Sequence, residues 1–410
     1  MSNEQLAMSN ERKQSKLDEL IQQYCPDGVE YKTLAELFNT RNGYTPSKSK
    51  PEFWVNGTVP WFRMEDIREN GRILSKATQY VTENALKGTP FPANSIIVAT
   101  SATIGEHALI TVPSLANQRF TYLVLKEKYA SMFDSKFLYY YCFKLDSYCK
   151  ECLNQGNFAS VDMKKFVKFE FPLVPLPVQS EIVRILDNFT ELTAELTAEL
   201  TAELTARKKQ YEFYRNKLLF RNVGIPKMTI GTVCNPHYGK GNKIPQNGGE
   251  YPVYGCKGIV GNTDTFNSED APIVGHIGSA GSVTWGAGKH FVTYNGTICT
   301  PNKDLVLSRY LYHILVSIKL ENKVKGNQPF LSTSDFAGIE IPVPPLDIQE
   351  RLVKLLDNFD AICSDLNIGL PAEIEARQKQ YEFYRDALLT YAATGKTILT
   401  DRQTDRQTDR

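Results

Sequence analysis

The sequence predicts an α+β protein made by internal duplication, in which two mixed α/β regions are separated by two long helices with approximate twofold symmetry. The first observation is a repeat: Phe171–Leu219 and Ile341–Leu389 align without a gap, 170 residues apart. The second is that both copies place apolar residues at helical spacing. The third is that the regions between them carry short apolar runs and turn residues, as mixed domains do.

Composition limits the functional classes. A chain of 410 residues is long enough for two or three domains. No apolar run approaches the length of a membrane span, and the N-terminus lacks an apolar signal core, so we expect a cytoplasmic protein. The eight cysteines are scattered, which favours free thiols. A net charge of +1 argues against bulk attraction to nucleic acid but permits local basic surfaces.

The repeat divides the chain into five segments. Each copy opens with a Pro-rich lead-in followed by a helical stripe and closes with a KQYEFYR motif. The predicted segments are an N-terminal mixed region (1–174), a first helix (175–222), a second mixed region (223–345), a second helix (346–393) and a disordered tail (394–410).

The middle of the first helix is a low-complexity run, Thr190–Ala206, in which Thr-Ala-Glu-Leu recurs every four residues. Ala, Glu and Leu are strong helix formers, so the run is predicted to be helical. The second copy, Asp360–Ala376, has equal length and keeps the apolar stripe. We therefore expect the two helices to pair as an antiparallel coiled-coil spacer, with a kink caused by Gly369 and Pro371.

The two mixed regions share an order of elements. Ser95–Gly105 and Ala271–Gly281 each predict a buried strand followed by a turn of small residues. Phe137–Leu145 and Tyr310–Ile318 predict matching helices. A similar scaffold with different loops is typical of two recognition modules that bind different targets.

Polar loop residues of the types that contact bases and phosphates occur in both regions. Arg and Lys suit guanine edges and phosphates, whereas Asn and Gln suit adenine. Any single member is more often a solvated surface residue, so the set carries more weight than its members. The candidates are Lys48, Lys50, Arg63, Glu65, Arg68, Asn117, Gln118 and Arg119 in the first region, and His237, Lys240, Lys243, Lys257, His276, Asn295, Lys325, Asn327 and Gln328 in the second.

The aromatic residues of the KQYEFYR motifs have two interpretations. They anchor each helix end against a mixed region, or they form two equivalent docking patches for two copies of one partner, and both can hold. The residues are Tyr211, Phe213, Tyr214, Tyr381, Phe383 and Tyr384.

Three motifs contain residue types found in catalytic or metal sites. Asn235–Tyr238 resembles the loop with which amino-methyltransferases hold a flipped base, but no glycine-rich cofactor strand precedes it. Asp304 with Glu321 and Lys323 imitates a nuclease cluster. Cys149 and Cys152 form a CxxC pair without a second ligand pair. We expect no catalytic centre and no metal site, and keep a stand-alone DNA methyltransferase or nuclease as the alternative.

Taken together, the paired Pro-rich segments, the paired KQYEFYR segments and the Thr-Ala-Glu-Leu repeat resemble the specificity (S) subunit of type I restriction-modification systems. The resemblance spans Leu17 to the end of the second helix. It implies that each mixed region is a target recognition domain reading one half of a bipartite, asymmetric DNA site. It also implies that the helices dock two methyltransferase (M) subunits, and that two restriction (R) subunits can join.

The resemblance further implies a division of labour. The partner subunits bind S-adenosylmethionine, ATP and Mg, whereas this chain holds no cofactor and performs no catalysis. Recognition domains of the family differ widely, so the resemblance assigns no base-reading residue.

Overall fold

A computed structural model of the chain describes residues 15–154, 159–220, 224–241, 248–324, 330–364 and 369–394. The chain forms two compact units. Unit 1 comprises Met1–Glu195 and Arg377–Arg410, and unit 2 comprises Leu196–Ala376. The predicted boundaries, which treat the two helices as segments of their own, stay a prediction. Each helix copy contributes to both units. The reason is that the helix ends carry core residues of the mixed regions.

Unit 1 builds its mixed region from three sheets. In chain order its elements are α1 (Lys16–Tyr24), β1 (Tyr31–Thr33), α2 (Leu34–Leu37), β2 (Phe38–Asn42), β3 (Val59–Phe62), α3 (Met64–Asn70), β4 (Ile73–Leu74), β5 (Tyr80–Val81), β6 (Ser95–Ala99), β7 (His107–Ile110), β8 (Leu115–Ala116), β9 (Phe120–Leu125), α4 (Ser135–Glu151), α5 (Met163–Phe166) and β10 (Glu170–Pro172), with 3-10 turns at Pro51–Phe53, Glu83–Ala85 and Glu127–Tyr129.

The main sheet of unit 1 has the order β2-β9-β6-β7-β4. Its neighbours are antiparallel except for β7 and β4, which run parallel. A second sheet has the order β5-β3-β8, and β1 pairs with β10. Every residue of β6 is buried, as expected for a central strand covered on both faces. The β1–β10 pair brings the first strand of the region beside the lead-in to the long helix.

Unit 2 repeats the plan with a larger single sheet. Its elements are β11 (Lys227–Thr229), α7 (Ile230–Val233), β12 (Cys234–Tyr238), β13 (Tyr251–Gly255), β14 (Gly258–Thr263), β15 (Ser268–Gly275), β16 (Val283–Val292), β17 (Gly296–Pro301), α8 (Ser308–Ser317), α9 (Thr333–Ala337) and β18 (Glu340–Pro342), with a 3-10 turn at Leu320–Lys323. The sheet order is β12-β17-β15-β16-β13-β14, and β11 pairs with β18. The two buried strands predicted before a turn of small residues correspond to β6 and β15. The two predicted matching helices correspond to α4 and α8.

The first helix copy, here α6 (Leu176–Phe220), is one continuous helix of 45 residues that includes the whole repeat. The second copy is described as two helices, α10 (Leu346–Ser364) and α11 (Gly369–Thr394). Gly369 has a φ of 70°, which is in the left-handed region that glycine adopts without a Cβ penalty. The α+β class with two mixed regions and a long helix is confirmed, whereas antiparallel pairing along the repeat stays a prediction.

The ends of the helices complete the cores. In unit 1, Leu17 of α1 and Ile182 of α6 share one hydrophobic cluster with Leu389 of α11. In unit 2, Tyr211 and Leu219 of α6 share a cluster with Leu356 of α10. Unit 1 is therefore assembled from the beginning and the end of the described chain, whereas unit 2 is contiguous.

Candidate nucleic-acid interface

A buried glutamine ties each mixed region to its helix in the same way. Gln179 of α6 donates from Nε2 to the carbonyls of Met132 (2.8 Å) and Val174 (2.6 Å), and its Oε1 accepts from the amide of Asp134 (2.8 Å). Its side chain has no exposed surface. Three hydrogen bonds from one buried amide fix the chain entering α4 relative to α6.

Gln349 repeats this anchor in unit 2. Its Nε2 donates to the carbonyls of Leu305 (2.9 Å) and Pro344 (2.7 Å), and its Oε1 accepts from the amide of Leu307 (2.9 Å). Gln349 is likewise completely buried. These two glutamines lie at equivalent positions of the sequence repeat, which by itself predicts no role for them. Their repetition at the start of both helices is the signal that marks them.

A second anchor uses an aspartate one turn before the repeat. Asp187 accepts from Lys136 Nζ (2.6 Å) and the Tyr140 hydroxyl (2.7 Å). In unit 2 the equivalent Asp357 bonds Arg309 Nε (2.7 Å) and His313 Nε2 (2.7 Å). The two anchors in each unit orient the mixed region on its helix.

A ring nitrogen of His313 and one carboxylate oxygen each of Asp357 and Asp360 lie within 4.8 Å of one another, and atoms of these types can bind metal ions. Arg309 already supplies a positive charge to Asp357 at 2.7 Å, and His313 Nε2 is engaged with the same carboxylate. Burial lowers the pKa of His313, which favours its neutral form. The cluster therefore acts as an ion-pair junction between α8 and α10.

The main sheets of the two units carry the same set of backbone hydrogen bonds around the turns at one end of the sheet, and we call this set the turn framework. The Gly43 amide donates to the Phe120 carbonyl at 2.9 Å, and the Gly239 amide donates to the Gly296 carbonyl at 2.9 Å. A Cβ at either glycine would collide with the backbone of the opposite turn. Three further amide-to-carbonyl bonds have an equivalent in the other unit. The bond from Tyr44 to Ala116 (2.8 Å) matches that from Lys240 to Val292 (3.0 Å), and the bond from Thr100 to Arg119 (3.0 Å) matches that from His276 to Asn295 (3.2 Å). The bond from Val161 to Thr100 (2.9 Å) matches that from Leu331 to His276 (3.1 Å).

This framework gathers part of the first predicted set. Gln118 and Arg119 are exposed on the turn before β9, and Asn117 shapes that turn by accepting the Arg119 amide at 3.0 Å. Gln118 also accepts a hydrogen bond from Thr45, which lies across the loop end of the sheet.

Lys48, Lys50, Glu65 and Arg68 are exposed beyond the framework, the lysines before the 3-10 turn at Pro51–Phe53 and the other two on α3. Arg63 is different, because its guanidinium donates to Thr78 at 3.0 Å and lies over the Trp61 ring. A side chain held in this way serves the local structure first.

The framework of unit 2 carries Lys240, His276 and Asn295. Lys240 and His237 are exposed, Asn295 is half-buried, and Lys257 is exposed on the β13–β14 turn. The side chain of His276 has no exposed surface, and its predicted DNA contact stays a prediction. His276 lies beneath a set of aromatic rings that the loop prediction missed. Lys243, Lys325, Asn327 and Gln328 lie outside the described residues.

The KQYEFYR motifs separate into buried and exposed halves. Tyr211 is 7% exposed and its ring stacks on that of Phe359 at 5.8 Å, which agrees with the anchor interpretation, whereas its docking role stays a prediction. Tyr381 is half-buried, and its hydroxyl is 2.9 Å from that of Thr190.

The neighbouring aromatic residues of the motifs are exposed and paired. Phe213 and Tyr214 pack edge to face at 5.4 Å, and Phe383 and Tyr384 do so at 5.5 Å. In unit 1 a cleft of about 500 Å³ adjoins the motif and is lined by Arg72, Asp146 and Arg385 among others.

The structure describes the surroundings of two of the motifs that resemble catalytic or metal sites. Asn235–Tyr238 lies in strand β12, paired with β17, rather than in a loop. Burial raises the pKa of the Cys149 thiol to about 12 and raises that of Cys142, so both thiols stay protonated. None of the helices in the described ranges has the length and apolarity needed to cross a membrane.

Two sheet modules anchored alike on a repeated helix define a two-module binding protein of the α+β class. The family model "Type I restriction modification DNA specificity domain" matches residues 26–206 and 222–376. The chain is 43% identical over 358 residues to the EcoprrI specificity subunit of Escherichia coli, covering 82% of this chain and 89% of that protein. It is 33% identical over 291 residues to the EcoR124I/EcoR124II specificity subunit of the same organism, covering 62% and 70%.

A solved chain from a study titled "Structural basis underlying complex assembly and conformational transition of the type I R-M system" shares the fold. Its TM-score is 0.63 at 15% identity, covering 90% of this chain and 98% of that one. The chain therefore belongs to the type I restriction-modification DNA specificity family. It is a specificity subunit and not a catalytic one, so the alternative of a stand-alone methyltransferase or nuclease is set aside.

Proposed function

We propose that unit 1 and unit 2 each read one half of a bipartite, asymmetric DNA site. The observation that carries this is that equivalent glutamine anchors and equivalent hydrogen bonds of the turn framework support different loop side chains in the two units. A shared frame with different loops suits the reading of two unlike half-sites. The exposed members of the predicted sets, with Lys48 and Lys50 in unit 1 and Lys240 and Lys257 in unit 2, are proposed to contact DNA.

The length of the helices is proposed to set the gap between the half-sites. Because α6 runs unbroken through the repeat, each Thr-Ala-Glu-Leu unit adds about 6 Å of helix, at about 1.5 Å per residue. A base pair of B-DNA rises about 3.4 Å and turns about 34°, so one unit corresponds to nearly two base pairs by length and to about one by rotation. This proposal requires the helices to act as an antiparallel rod between the readers.

Deletion of Thr197–Leu200 tests the ruler. Methylation sequencing of cells carrying the shortened chain with its methyltransferase partner should show both half-sites unchanged and the gap shorter by one or two base pairs. A matched control deletes Thr400–Gln403, four residues of the terminal repeat, and should leave the gap unchanged. A gap that is identical in both variants would refute the ruler while leaving DNA reading intact.

The exposed aromatic pairs are proposed to dock two M subunits, one at Phe213 and Tyr214 and one at Phe383 and Tyr384. Aromatic residues exposed in equivalent positions are typical of interface anchors. Native mass spectrometry should show loss of one M subunit when one pair is changed to alanine and of both when both are changed. Phe220→Ala, in the same helix but outside the motif, is the control and should retain two. Full occupancy after both changes would contradict the assignment.

The remaining partners follow from this role. Two R subunits are proposed to join the M-bound complex, and the partner enzymes to bind S-adenosylmethionine, ATP and Mg, in the cytoplasm. Isothermal titration of S-adenosylmethionine into the isolated chain should therefore show no saturable heat, whereas titration into the complex with M should. Saturable binding by the chain alone would contradict the proposed division.

A further inference from the structure

The matched hydrogen bonds of the turn framework allow the two readers to be compared residue by residue. Since Gly43 corresponds to Gly239 and Thr100 to His276, the neighbouring positions correspond as well. The strand registers agree, because Asn42 opposes Thr121 and Tyr238 opposes Thr297. The bridge between Ser101 and Ser160 matches the bridge between Ile277 and Phe330. The equivalent pairs are Asn42/Tyr238, Thr100/His276, Ser101/Ile277, Gln118/Tyr294 and Ser160/Phe330.

The unit 1 member of every pair is small and polar or carries an amide. Asn42 Oδ1 accepts from the Thr121 hydroxyl at 2.8 Å, and the Thr100 and Thr121 hydroxyls are 3.0 Å apart. Asn42 and Gln118 are exposed. Amide side chains at a loop end present donors and acceptors of the kind that pair with base edges, adenine in particular.

The unit 2 members form a packed apolar surface instead. The rings of Tyr238 and His276 lie 4.2 Å apart, and His276 also contacts Tyr294 (5.3 Å) and Phe330 (5.9 Å), measured between ring centroids. Above the buried His276, Tyr294 is 41% exposed, Phe330 is 47% exposed and Ile277 is 39% exposed. Large apolar groups displayed together in this way are expected at an interaction surface.

Building on the proposed function, we propose that this aromatic surface reads thymine in its half-site by apolar contact with the C5 methyl group in the major groove, whereas unit 1 reads its half-site by hydrogen bonds. Phenylalanine and similar apolar side chains are suited to the thymine methyl. Lys240 donates its amide to the Val292 carbonyl, and Lys257 lies on the β13–β14 turn, which follows the pairing of Tyr254 with Val292. Both lysines are exposed and suit the flanking phosphates.

An alternative mode is insertion of a ring between base pairs, as wedge residues do in the minor groove. A side chain that inserts between base pairs must protrude from the protein surface along almost its whole length. Tyr294 and Phe330 are less than half exposed and are held against His276, so the surface is shaped for contact from outside the base stack.

The test uses the complex of the full chain with its methyltransferase partner and the site identified by methylation sequencing. Photo-crosslinkers at positions 48 and 257 assign each half-site to a unit. Replacing thymine by deoxyuridine in the unit 2 half-site removes only the methyl group and should weaken binding by about fourfold for each thymine that the surface contacts. The same replacement in the unit 1 half-site should change binding less than twofold.

Variants locate the effect on the aromatic surface. Tyr294→Gln, which installs the unit 1 residue, and Phe330→Ser should each bind thymine and deoxyuridine duplexes equally. Tyr294→Phe keeps the ring and should behave as the unchanged chain. Gln118→Leu should weaken binding through the unit 1 half-site and leave the deoxyuridine response of the other half intact. Hydrogen exchange across β15–β17 shows whether a variant keeps the fold.

The outcomes separate this inference from the proposed function. A specific complex that is insensitive to deoxyuridine in the unit 2 half-site, or a unit 2 half-site without an A·T pair, would overturn the thymine reading alone. A rise in 2-aminopurine fluorescence on binding would show unstacking and would also overturn it, provided that the probe replaces an adenine of that half-site other than the one the methyltransferase flips. Absence of any sequence-selective binding by the complex would instead overturn the proposed function.

Discussion

Replacing Gln349 by leucine should loosen unit 2 selectively. The change removes three hydrogen bonds, to Leu305, Leu307 and Pro344, inside a site with no exposed surface. At about 1 kcal/mol per neutral hydrogen bond, the substitution should lower the stability of unit 2 by roughly 3 kcal/mol. This is a minimum, because the buried backbone groups that lose their partner add a further desolvation cost. Since about 1.4 kcal/mol is a tenfold change, local opening should become more frequent by about two orders of magnitude.

Hydrogen exchange measured by mass spectrometry reports this opening unit by unit, which matters because a two-unit chain does not melt as one two-state body. Amides of α8 and α10 should exchange faster, while those of β6 and β9 in unit 1 stay unchanged. Gln179→Leu should give the mirror result in unit 1. Lys354→Leu, on an exposed position of α10, is the matched control and should shift stability by less than about 0.5 kcal/mol. A change below about 1 kcal/mol for Gln349→Leu, or equal effects in both units, would refute the anchor.

Three further predictions concern pH, an anchor and a turn. Burial lowers the pKa values of His276, His290 and His313, all in unit 2, so their folded values lie below the ordinary 6.5. The unfolded chain then binds more protons, and unit 2 should lose stability as pH falls below about 6.5, seen as faster hydrogen exchange there before unit 1. Tyr211→Ala should destabilise unit 2 by about 3–5 kcal/mol in the same assay, because it empties a core position, whereas a shift below 1 kcal/mol would contradict that role. Gly43→Ala should raise exchange in β9 and weaken binding to one half-site only, and unaltered binding would count against the framework as the reading surface.

The acid response of unit 1 should differ for a physical reason. The Arg184 guanidinium, followed by Lys16, holds the pKa of Glu181 at about 2. A depressed carboxyl pKa gives stability that is complete above the unfolded value and is lost only as pH falls toward the folded one. The contribution of Glu181 should therefore persist at pH 5, where unit 2 is already weakened.

The duplication could be predicted because repetition in a sequence is a signal that does not depend on the secondary-structure propensities of its residues. The buried strand before each turn and the helix after it were also readable, since runs such as those in β6 and β15 have few alternatives. The residue-by-residue equivalence of the two mixed regions could not be predicted from the sequence. Asn42 and Tyr238 are related by hydrogen bonds and strand register, and the number of residues between the equivalent strands differs in the two regions. Loop residues were chosen by polarity, which is why the aromatic surface over His276 was missed.

The burial of single residues within a short motif was equally beyond the sequence. In KQYEFYR the tyrosine at 211 is buried and the one at 214 is exposed, although both are the same residue type. Which face of the helix meets a core depends on the partner elements, and these come from distant parts of the chain. The division of each helix copy between two units has the same origin, because core membership is a tertiary property.

The discontinuous make-up of unit 1 has a consequence for biosynthesis. Leu389 and Ala392 of α11 lie in the same core as Leu17 and Ile21 of α1, and the Tyr391 hydroxyl bonds Asp18 at 2.5 Å. A ribosome must therefore deliver almost the whole described chain before the first-made module can close, while the contiguous second module can mature earlier. Nascent chains arrested after residue 376 should resist protease across 224–241, 248–324 and 330–364 and remain cleavable in the amino-terminal half. Premature stop codons in the last helix should impair the recognition region encoded at the opposite end of the gene.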